Sequence, residues 1–196
     1  MRSICVFCGS GTGNDPVYKE RARRLAELFL QKRIVLVYGG ANVGLMKVLA
    51  DTMLENGGKV IGVMPRLLVE REVAHYHLTE MHIVEDMQER KALMSDLANG
   101  FIALPGGYGT MDELFEILAW NQLGMIHKPV GLLNINGYYD LLIRMLDRMV
   151  DEKFLRPEHR ARLITGDDEI EMLESMENYN PVMAEKWIER LKEGKI

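Results

Sequence analysis

Short apolar runs alternate along the chain with longer segments in which apolar residues recur every three or four positions. The apolar runs predict strands at Ser3 to Cys8, Ile34 to Tyr38, Lys59 to Met64, Met81 to Val84, Phe101 to Leu104 and Val130 to Leu133, with a weaker one at Leu163 to Thr165. Most of these runs are continuous rather than alternating in polarity, which is typical of parallel strands that are covered on both faces.

Helices are predicted between the strands. In the first of them Tyr18, Ala22, Leu25 and Phe29 recur at helical spacing up to about Lys32. Further helices are predicted over Leu45 to Asn56, Met87 to Ala98, Met111 to Met125, Tyr138 to Glu152 and Pro181 to Glu193. This alternation predicts a Rossmann-like, doubly wound α/β fold, with a mainly parallel sheet of about six to seven strands and helices on both faces.

Length and charge narrow the class of protein. The 196 residues fit a single domain spanning positions 1–196, in which about 155–196 form a C-terminal helical appendage. A formal net charge of −5 without any block of Lys or Arg argues against nucleic-acid binding. No apolar run approaches the ~20 residues of a membrane span, so we expect a cytoplasmic protein without a membrane segment. Cys5 and Cys8 are expected to be buried thiols.

Glycine is concentrated in loops that follow predicted strands. Eight of the 18 glycines lie there: Gly9, Gly11, Gly13, Gly39, Gly40, Gly106, Gly107 and Gly109. The carboxyl ends of parallel strands meet at one edge of a sheet, and glycine lets backbone N–H groups approach a ligand closely. Three such loops therefore predict a phosphate-bearing ligand, although any one of them alone is better explained as a tight turn.

Two familiar nucleotide-binding patterns do not match. A dinucleotide site has G-x-G-x-x-G after the first strand, whereas Gly9 to Gly13 gives G-x-G-x-G. Gly39 to Gly44 has the spacing of a P-loop, but Leu45 and Met46 stand where Lys and Ser or Thr are needed. NAD binding and ATP hydrolysis are therefore disfavoured.

The strongest local signal is the segment Pro105-Gly106-Gly107-Tyr108-Gly109-Thr110-Met111-Asp112-Glu113. Thr110 and Glu113 have the spacing of a capping box, so a helix is predicted to begin at the glycines with free N–H groups that suit a monophosphate. One interpretation of Glu113 is that it only caps Thr110. The other is that it belongs to an acidic stripe with Asp112 and Glu116 that performs carboxylate chemistry.

Arg90 lies in an apolar stripe, because Met87, Arg90, Met94 and Leu97 recur at helical spacing. An inward guanidinium needs an anion. The sequence leaves two interpretations open, a structural salt bridge or contact with a ligand or catalytic carboxylate, and Lys91 lies near the same face. The five His residues show no metal-ligand spacing apart from one H-x-H pair in a predicted loop, so no metal site is assigned.

These residues resemble the Lonely Guy (LOG) family, the cytokinin riboside 5′-monophosphate phosphoribohydrolases. Positions 105–113 match the family signature PGGxGTxxE, and Arg90 and Lys91 match its arginine-lysine pair. The likeness runs from Cys5 to Leu133, whereas the region after about 150 carries little of it. Some relatives have been labelled lysine decarboxylases, but the Schiff-base Lys that a pyridoxal-phosphate enzyme needs is not visible in the sequence.

The resemblance implies a homodimer that hydrolyses the N-glycosidic bond of an N6-modified AMP, a purine nucleoside 5′-monophosphate, without a metal or a cofactor. It implies that Glu113 is the carboxylate near C1′, with Glu116 in reserve, and that Arg90 orients the nucleotide or Glu113. The residues expected to hold the phosphate or other parts of the substrate are Gly106, Gly107, Tyr108, Gly109, Thr110, Lys91, Gly40 and Glu72.

Two alternative functions remain open at this level. One is a nucleosidase that acts on AMP or another purine 5′-monophosphate. The other is a non-catalytic nucleotide-binding or carrier protein, in which Glu113 only caps its helix. The segment from Pro65 to His77 is expected to shape the base pocket, and the sequence does not fix which base it selects.

Overall fold

The structure, a computed structural model, describes residues 1–70 and 73–180. Its central element is a seven-stranded sheet in the order β4-β3-β2-β1-β5-β6-β7. The strands are β1 (Ser3–Phe7), β2 (Val35–Tyr38), β3 (Val60–Pro65), β4 (Glu80–Val84), β5 (Phe101–Ala103), β6 (Val130–Leu133) and β7 (Leu163–Gly166). Every neighbouring pair is parallel, so the predicted doubly wound α/β fold is confirmed.

Eight α-helices and one short 3-10 helix, Ile135–Gly137, connect or follow the strands within the described residues. The α-helices are α1 (Val17–Lys32), α2 (Gly44–Glu55), α3 (Arg66–Glu70), α4 (Met87–Leu97), α5 (Tyr108–Leu123), α6 (Asp140–Asp151), α7 (Pro157–Arg160) and α8 (Glu169–Glu177). None of the helices in the described ranges is long and apolar enough to cross a membrane.

Two apolar clusters hold the helices against opposite faces of the sheet. On one face α1, α2 and α8 contribute buried residues such as Phe29, Leu49 and Leu173. On the other face α4, α5 and α6 contribute Met94, Leu114 and Leu146, among others. Because both faces are covered, the strands need continuous apolar sequence, which is the pattern observed.

The C-terminal part of the described chain is more than a helical appendage. Strand β7 pairs with β6 in register Val130↔Leu163, and α8 then packs its buried Met172 and Met176 on the same sheet. Residues 163–177 therefore complete one edge of the domain. The helix predicted over 181–193 lies outside the described residues.

The order of the strands determines where a ligand can bind. Strands β1 and β5 are neighbours, yet the chain leaves β1 toward β2 on one side and returns through α4 to β5 on the other. In open α/β sheets the crevice for ligands lies at the carboxyl ends of the strands at such a switch point. The loops after β1, β2, β3 and β5 meet there.

Candidate active site

A buried ion pair links α4 to α5 at the carboxyl edge of the sheet. The Nη1 atom of Arg90 lies 2.9 Å from Oε1 of Glu113. Arg90 is 9% exposed and Glu113 is 8% exposed. The structure therefore pairs Arg90 with Glu113, an ion pair that fits both interpretations of Arg90, a structural salt bridge or the orientation of a catalytic carboxylate.

The backbone around Arg90 fixes the position of its guanidinium. The Nε atom donates a hydrogen bond to the carbonyl oxygen of Val63, 3.1 Å away at the end of β3. Asp86 caps α4 by accepting hydrogen bonds from the N–H groups of Gln88 and Glu89. Gly39 lies directly against the guanidinium, and a Cβ at this position would collide with Nη2 of Arg90. The glycine that follows β2 thus makes room for the arginine.

Burial changes the acidity of Glu113. Desolvation raises the pKa of this carboxyl above its ordinary value, although the Arg90 guanidinium opposes the shift. Oε1 contacts Arg90, whereas Oε2 has no hydrogen-bond partner among the described residues. The side chain therefore presents one free carboxylate oxygen of raised basicity.

The N-terminus of α5 supplies hydrogen-bond donors to the same place. Gly107 is the N-cap, and the first intrahelical bond runs from the N–H of Met111 to the carbonyl of Gly107. The N–H groups of Gly107, Tyr108 and Gly109 donate to no acceptor in residues 1–70 and 73–180. Together with the helix dipole, these donors form a site suited to an anion.

The predicted capping box between Thr110 and Glu113 is wrong. The helix begins at Tyr108, so Thr110 lies within the first turn, 3% exposed, and forms no side-chain cap. Glu113 lies one turn further along, where its side chain pairs with Arg90. The carboxylate is therefore not needed to begin the helix.

The glycines of the loop after β5 differ in what requires them. A Cβ on Gly106 would collide with the side chain of Thr110 and approach the backbone of Gly9. A Cβ on Gly107 or Gly109 would meet nothing within 4 Å, and neither residue has a positive φ. Neither packing nor backbone strain therefore requires glycine at positions 107 and 109. A ligand that approaches the backbone closely would require it.

These groups open into one cavity of about 340 Å³. Its polar part consists of Arg90, Glu113, Thr110, Ser10 and the backbone from Gly107 to Gly109. The remainder is mainly apolar and comes from the ends of β1 and β3 and from the segments that follow β1, β2 and β3, including α2 and α3: Cys8, Ala41, Val43, Met46, Met64, Leu68 and Val73. Such a cavity fits a ligand with an anionic group at one end and an apolar group at the other.

Several predicted site residues lie beside this cavity. Lys91 is held by two carboxylates, with Nζ 3.1 Å from both Asp112 and Glu116. Neither Lys91 nor Glu116 is part of the cavity wall. Gly40 has a φ of +77°, and its carbonyl accepts the N–H of His75, so Gly39 rather than Gly40 faces the cavity.

Two further predicted contacts have different outcomes. Tyr108 lies at the rim of the cavity with 96% of its surface exposed. Glu72 lies outside the described residues.

The sequence indicated part of the apolar wall. Leu68, on α3, and Val73 belong to the segment from Pro65 to His77 that was expected to shape the base pocket, and both line the cavity. Val43, Met46 and Met64 were not predicted, although Met64 ends a run of buried residues in β3 and this signal could have placed it at the carboxyl edge. Cys8 also lines the cavity. Burial raises the pKa of its thiol well above the ordinary value, so the group stays protonated rather than becoming a nucleophile.

The H-x-H pair has a structural role. The Nε2 atom of His75 lies 3.0 Å from Asp51 on α2, and its Nδ1 accepts the N–H of His77. This arrangement fastens the segment after residue 72 to the helix that follows β2. Within the described ranges no three His, Cys, Asp or Glu side chains are grouped as metal ligands.

Sequence comparisons identify relatives over most of the chain. The family model described as "Possible lysine decarboxylase" matches residues 46–176. Cytokinin riboside 5′-monophosphate phosphoribohydrolase LOG7 of Arabidopsis thaliana is 44% identical over 185 residues, which cover 94% of this chain and 85% of the relative. LOG5 of the same plant, with the same activity in its name, is 43% identical over 182 residues, covering 93% and 80% of the two chains.

Solved structures share the fold at lower identity. The molybdenum cofactor binding protein from the phototrophic bacterium Rippkaea orientalis matches with a TM-score of 0.67 at 21% identity, covering 90% of this chain and 96% of the other. The Moco carrier protein from Chlamydomonas reinhardtii matches with a TM-score of 0.66 at 17% identity over 90% and 96% of the two chains. At these identities the likeness concerns the fold alone.

Proposed function

The chain belongs to the LOG family, and on that basis we propose that it hydrolyses the N-glycosidic bond of cytokinin-type, N6-modified adenosine 5′-monophosphates to the free base and ribose 5-phosphate. The observation that carries the proposal is the pair Arg90–Glu113, which faces the same cavity as the unpaired N–H groups at the start of α5. The N–H groups can hold a phosphate while the Arg90–Glu113 pair lies at the reacting carbon of the same molecule.

The 5′-phosphate binds at the N-terminus of α5. The N–H groups of Gly107, Tyr108 and Gly109 are donors without acceptors, and the hydroxyl of Thr110 adds a further donor beside them. Because Gly107 and Gly109 have no side chain, the phosphate oxygens can approach the backbone there. Binding energy from this group positions the glycosidic bond, which lies away from the phosphate.

Glu113 acts at C1′ of the ribose. As the C1′–N9 bond breaks, its electron pair leaves with the base and positive charge develops on the ribosyl ring, which a carboxylate stabilises. Water then adds to C1′ and gives a proton to Glu113, whose raised pKa makes it a better base than an ordinary glutamate. That proton passes through solvent to the departed base, which yields the neutral free base and restores the carboxylate. The guanidinium of Arg90 holds Oε1, so that Oε2 is available for the reaction.

The apolar wall is where the base is held. Met46 and Met64 face the cavity beside Leu68, and these flexible or aliphatic side chains suit a purine with an uncharged substituent. Action on unmodified AMP is the second candidate, since the same wall also accepts a smaller base. With a net charge of −5, the protein suits a mononucleotide better than a nucleic acid.

The family description names lysine decarboxylation, a reaction for which pyridoxal phosphate forms a Schiff base with an enzyme lysine. The residues around this cavity do not fit that cofactor. None of the described residues that line it is a lysine, and Lys91 is held by Asp112 and Glu116. We therefore assign no step to pyridoxal phosphate, and we propose hydrolysis without a metal or a cofactor.

A homodimer is the proposed form of the enzyme. Helices α5 and α6 and the segment after them expose large apolar side chains: Phe115, Leu123, Leu141, Met145 and Phe154. Phe154 is 88% exposed, and Leu141 is 75% exposed. A second copy covering this face removes these side chains from water. A cytoplasmic location is also proposed, in keeping with the free thiols of Cys5 and Cys8.

Product analysis tests the proposed function. Purified protein is incubated with N6-isopentenyl-AMP and with AMP, in the presence and absence of a metal chelator, and free base and ribose 5-phosphate are measured. The proposal predicts equal amounts of the two products, a preference for the modified nucleotide and no effect of the chelator. Tight nucleotide binding without release of either product would support a carrier instead.

A further inference from the structure

Three consecutive carbonyl groups of the loop after β5 are held from outside the cavity. The carbonyl of Leu104 accepts a hydrogen bond from the hydroxyl of Tyr139 at 2.6 Å. The carbonyl of Pro105 accepts the N–H of Gly9 at 3.0 Å. The carbonyl of Gly106 accepts the hydroxyl of Tyr138 at 2.8 Å. The last contact comes from an exposed side chain, so it is not explained by the need to satisfy a buried hydroxyl.

The direction of a carbonyl determines the direction of the next N–H. In a planar trans peptide the C=O of one residue and the N–H of the next point to opposite sides. A hydrogen bond that fixes the carbonyl of Gly106 therefore aims the N–H of Gly107 the other way. That N–H is one of the donors without an acceptor at the cavity.

Tyr138 lies behind the loop rather than in the cavity. It lines a separate depression with Tyr18 and the glycine loop after β1, whereas it is absent from the wall that contains Arg90 and Glu113. Its ring makes edge-to-face contacts with Tyr18 and Tyr139, with centroids 6.0 Å and 4.9 Å away. These contacts involve the ring and not the hydroxyl. The hydroxyl therefore acts separately, by donating its hydrogen bond to the carbonyl of Gly106.

The turn before α6 is built to present the two tyrosines. Oδ1 of Asn134 accepts the N–H of Tyr139 at 2.6 Å, and its Nδ2 donates to Asp140 at 2.8 Å. Tyr139 is 2% exposed, and burial raises the pKa of its hydroxyl well above the ordinary value, so the group remains a hydrogen-bond donor. The turn therefore supplies a rigid support for the loop.

We propose that Tyr138 is a positioning residue for the 5′-phosphate: its hydroxyl fixes the Gly106–Gly107 peptide so that the N–H of Gly107 faces the bound phosphate. The inference rests on the proposed function, because it assigns the phosphate to this loop. Donors that are already oriented need no reorganisation when the ligand arrives, which is the advantage that the hydroxyl provides.

The test is Tyr138→Phe, which removes one oxygen and keeps both ring contacts. We expect the Kd for ribose 5-phosphate, measured by calorimetry, to rise about five- to tenfold, the size of the net contribution of one neutral hydrogen bond. Binding of ribose, which lacks the phosphate, and the Tm should not change. With the nucleotide substrate, KM should rise while kcat stays near the wild-type value. Tyr179→Phe, which removes a hydroxyl after α8, is the matched control and should bind as the wild type does.

The outcomes separate this inference from the proposed function. If the wild type releases base and Tyr138→Phe binds ribose 5-phosphate as tightly as the wild type, the positioning role is overturned and the hydrolase stands. If no nucleotide is cleaved but the variant still loses affinity only for the phosphorylated sugar, the hydrolase fails and the positioning role stands. A wild type without affinity for ribose 5-phosphate, or a variant that loses affinity for ribose equally, overturns the positioning role.

Discussion

Arg90 and Glu113 form a buried ion pair at 2.9 Å that connects the two helices on either side of the cavity. Each side chain is about nine-tenths buried, so neither charge can be compensated by bulk water. Because Arg90 is also fixed to Val63 on β3, the carboxylate is positioned relative to the sheet itself. Changes to this ion pair, or to the glycine loop after β5 beside it, should therefore alter stability and activity in distinct ways.

Replacing Arg90 should cost both stability and activity. Arg90→Ala leaves a buried carboxylate without its partner, and we expect the free energy of unfolding to fall by about 3–5 kcal/mol. Urea unfolding measures this loss, and kcat/KM for the nucleotide should fall with it. Lys32→Ala, which removes an exposed pair with Glu177 at 3.3 Å, is the control and should cost less than about 1 kcal/mol. Equal losses in the two variants would contradict a special role for the buried pair.

Gly109→Ala should separate binding from stability. A Cβ there has free space and an ordinary φ, so the substitution should keep the fold or stabilise α5 by up to about 1 kcal/mol. The same methyl group enters the place of the phosphate, and affinity for ribose 5-phosphate should fall roughly tenfold or more. Thermal unfolding and calorimetry provide the two measurements. Unchanged affinity would show that the phosphate binds elsewhere.

Gly39→Ala should have the opposite effect on stability. Its Cβ would collide with the guanidinium of Arg90, so both the free energy of unfolding and kcat/KM should fall. Both glycine variants should therefore lose function, but only Gly39→Ala should also lose stability. A Gly39→Ala protein as stable as the wild type would mean that Arg90 can move without cost.

The raised pKa of Glu113 predicts how stability depends on pH. The ordinary pKa of 4.5 applies to the unfolded chain, and burial raises the pKa in the folded protein. The folded state thus binds this proton more tightly, and the stabilisation present below pH 4.5 is lost as pH rises through the folded-state pKa. We expect Glu113→Gln to gain stability relative to the wild type over that interval, measured by urea unfolding at several pH values. Glu27→Gln, on the exposed face of α1, controls for removing a carboxylate, and a relative stability that falls with pH would contradict the assignment.

The proposed dimer predicts a change of oligomeric state from one exposed residue. Met145 on α6 is 53% exposed, and Met145→Glu places a charge in the face that the second copy is proposed to cover. We expect a dimer for the wild type and a monomer for this variant by analytical ultracentrifugation. Ile170→Glu, at an exposed apolar position on α8 on the other face of the sheet, should leave the dimer intact. If both variants dissociate equally, or if neither dissociates, the dimer interface does not lie on this face.

Much of the fold was predictable because strands buried on both faces are apolar throughout. β7 was the weakest prediction, and its burial is lower because it forms an edge of the sheet. Helix α5 begins among the glycines, as the loop predicted, but the capping role of Thr110 was wrong, because the loop after β5 enters the helix already at Tyr108 and places Thr110 inside the first turn.

The site was only partly predictable, for a different reason. The sequence showed that Arg90 needs an anion, but the choice of Glu113 depends on how α4 and α5 lie together on one face of the sheet. The segment from Pro65 to His77 was expected beside the base, and its Leu68 and Val73 line the cavity. The support from Tyr138 was not predicted, because it depends on a contact between segments that are distant along the chain.

The most direct test of the central claim compares the wild type with Glu113→Gln on N6-isopentenyl-AMP. Ribose 5-phosphate release and nucleotide affinity are measured on the same preparations. The account predicts that the variant binds the nucleotide with a Kd close to that of the wild type but releases product roughly 10²- to 10⁴-fold more slowly, as expected for loss of a general base. Product release by Glu113→Gln at the wild-type rate would contradict the account.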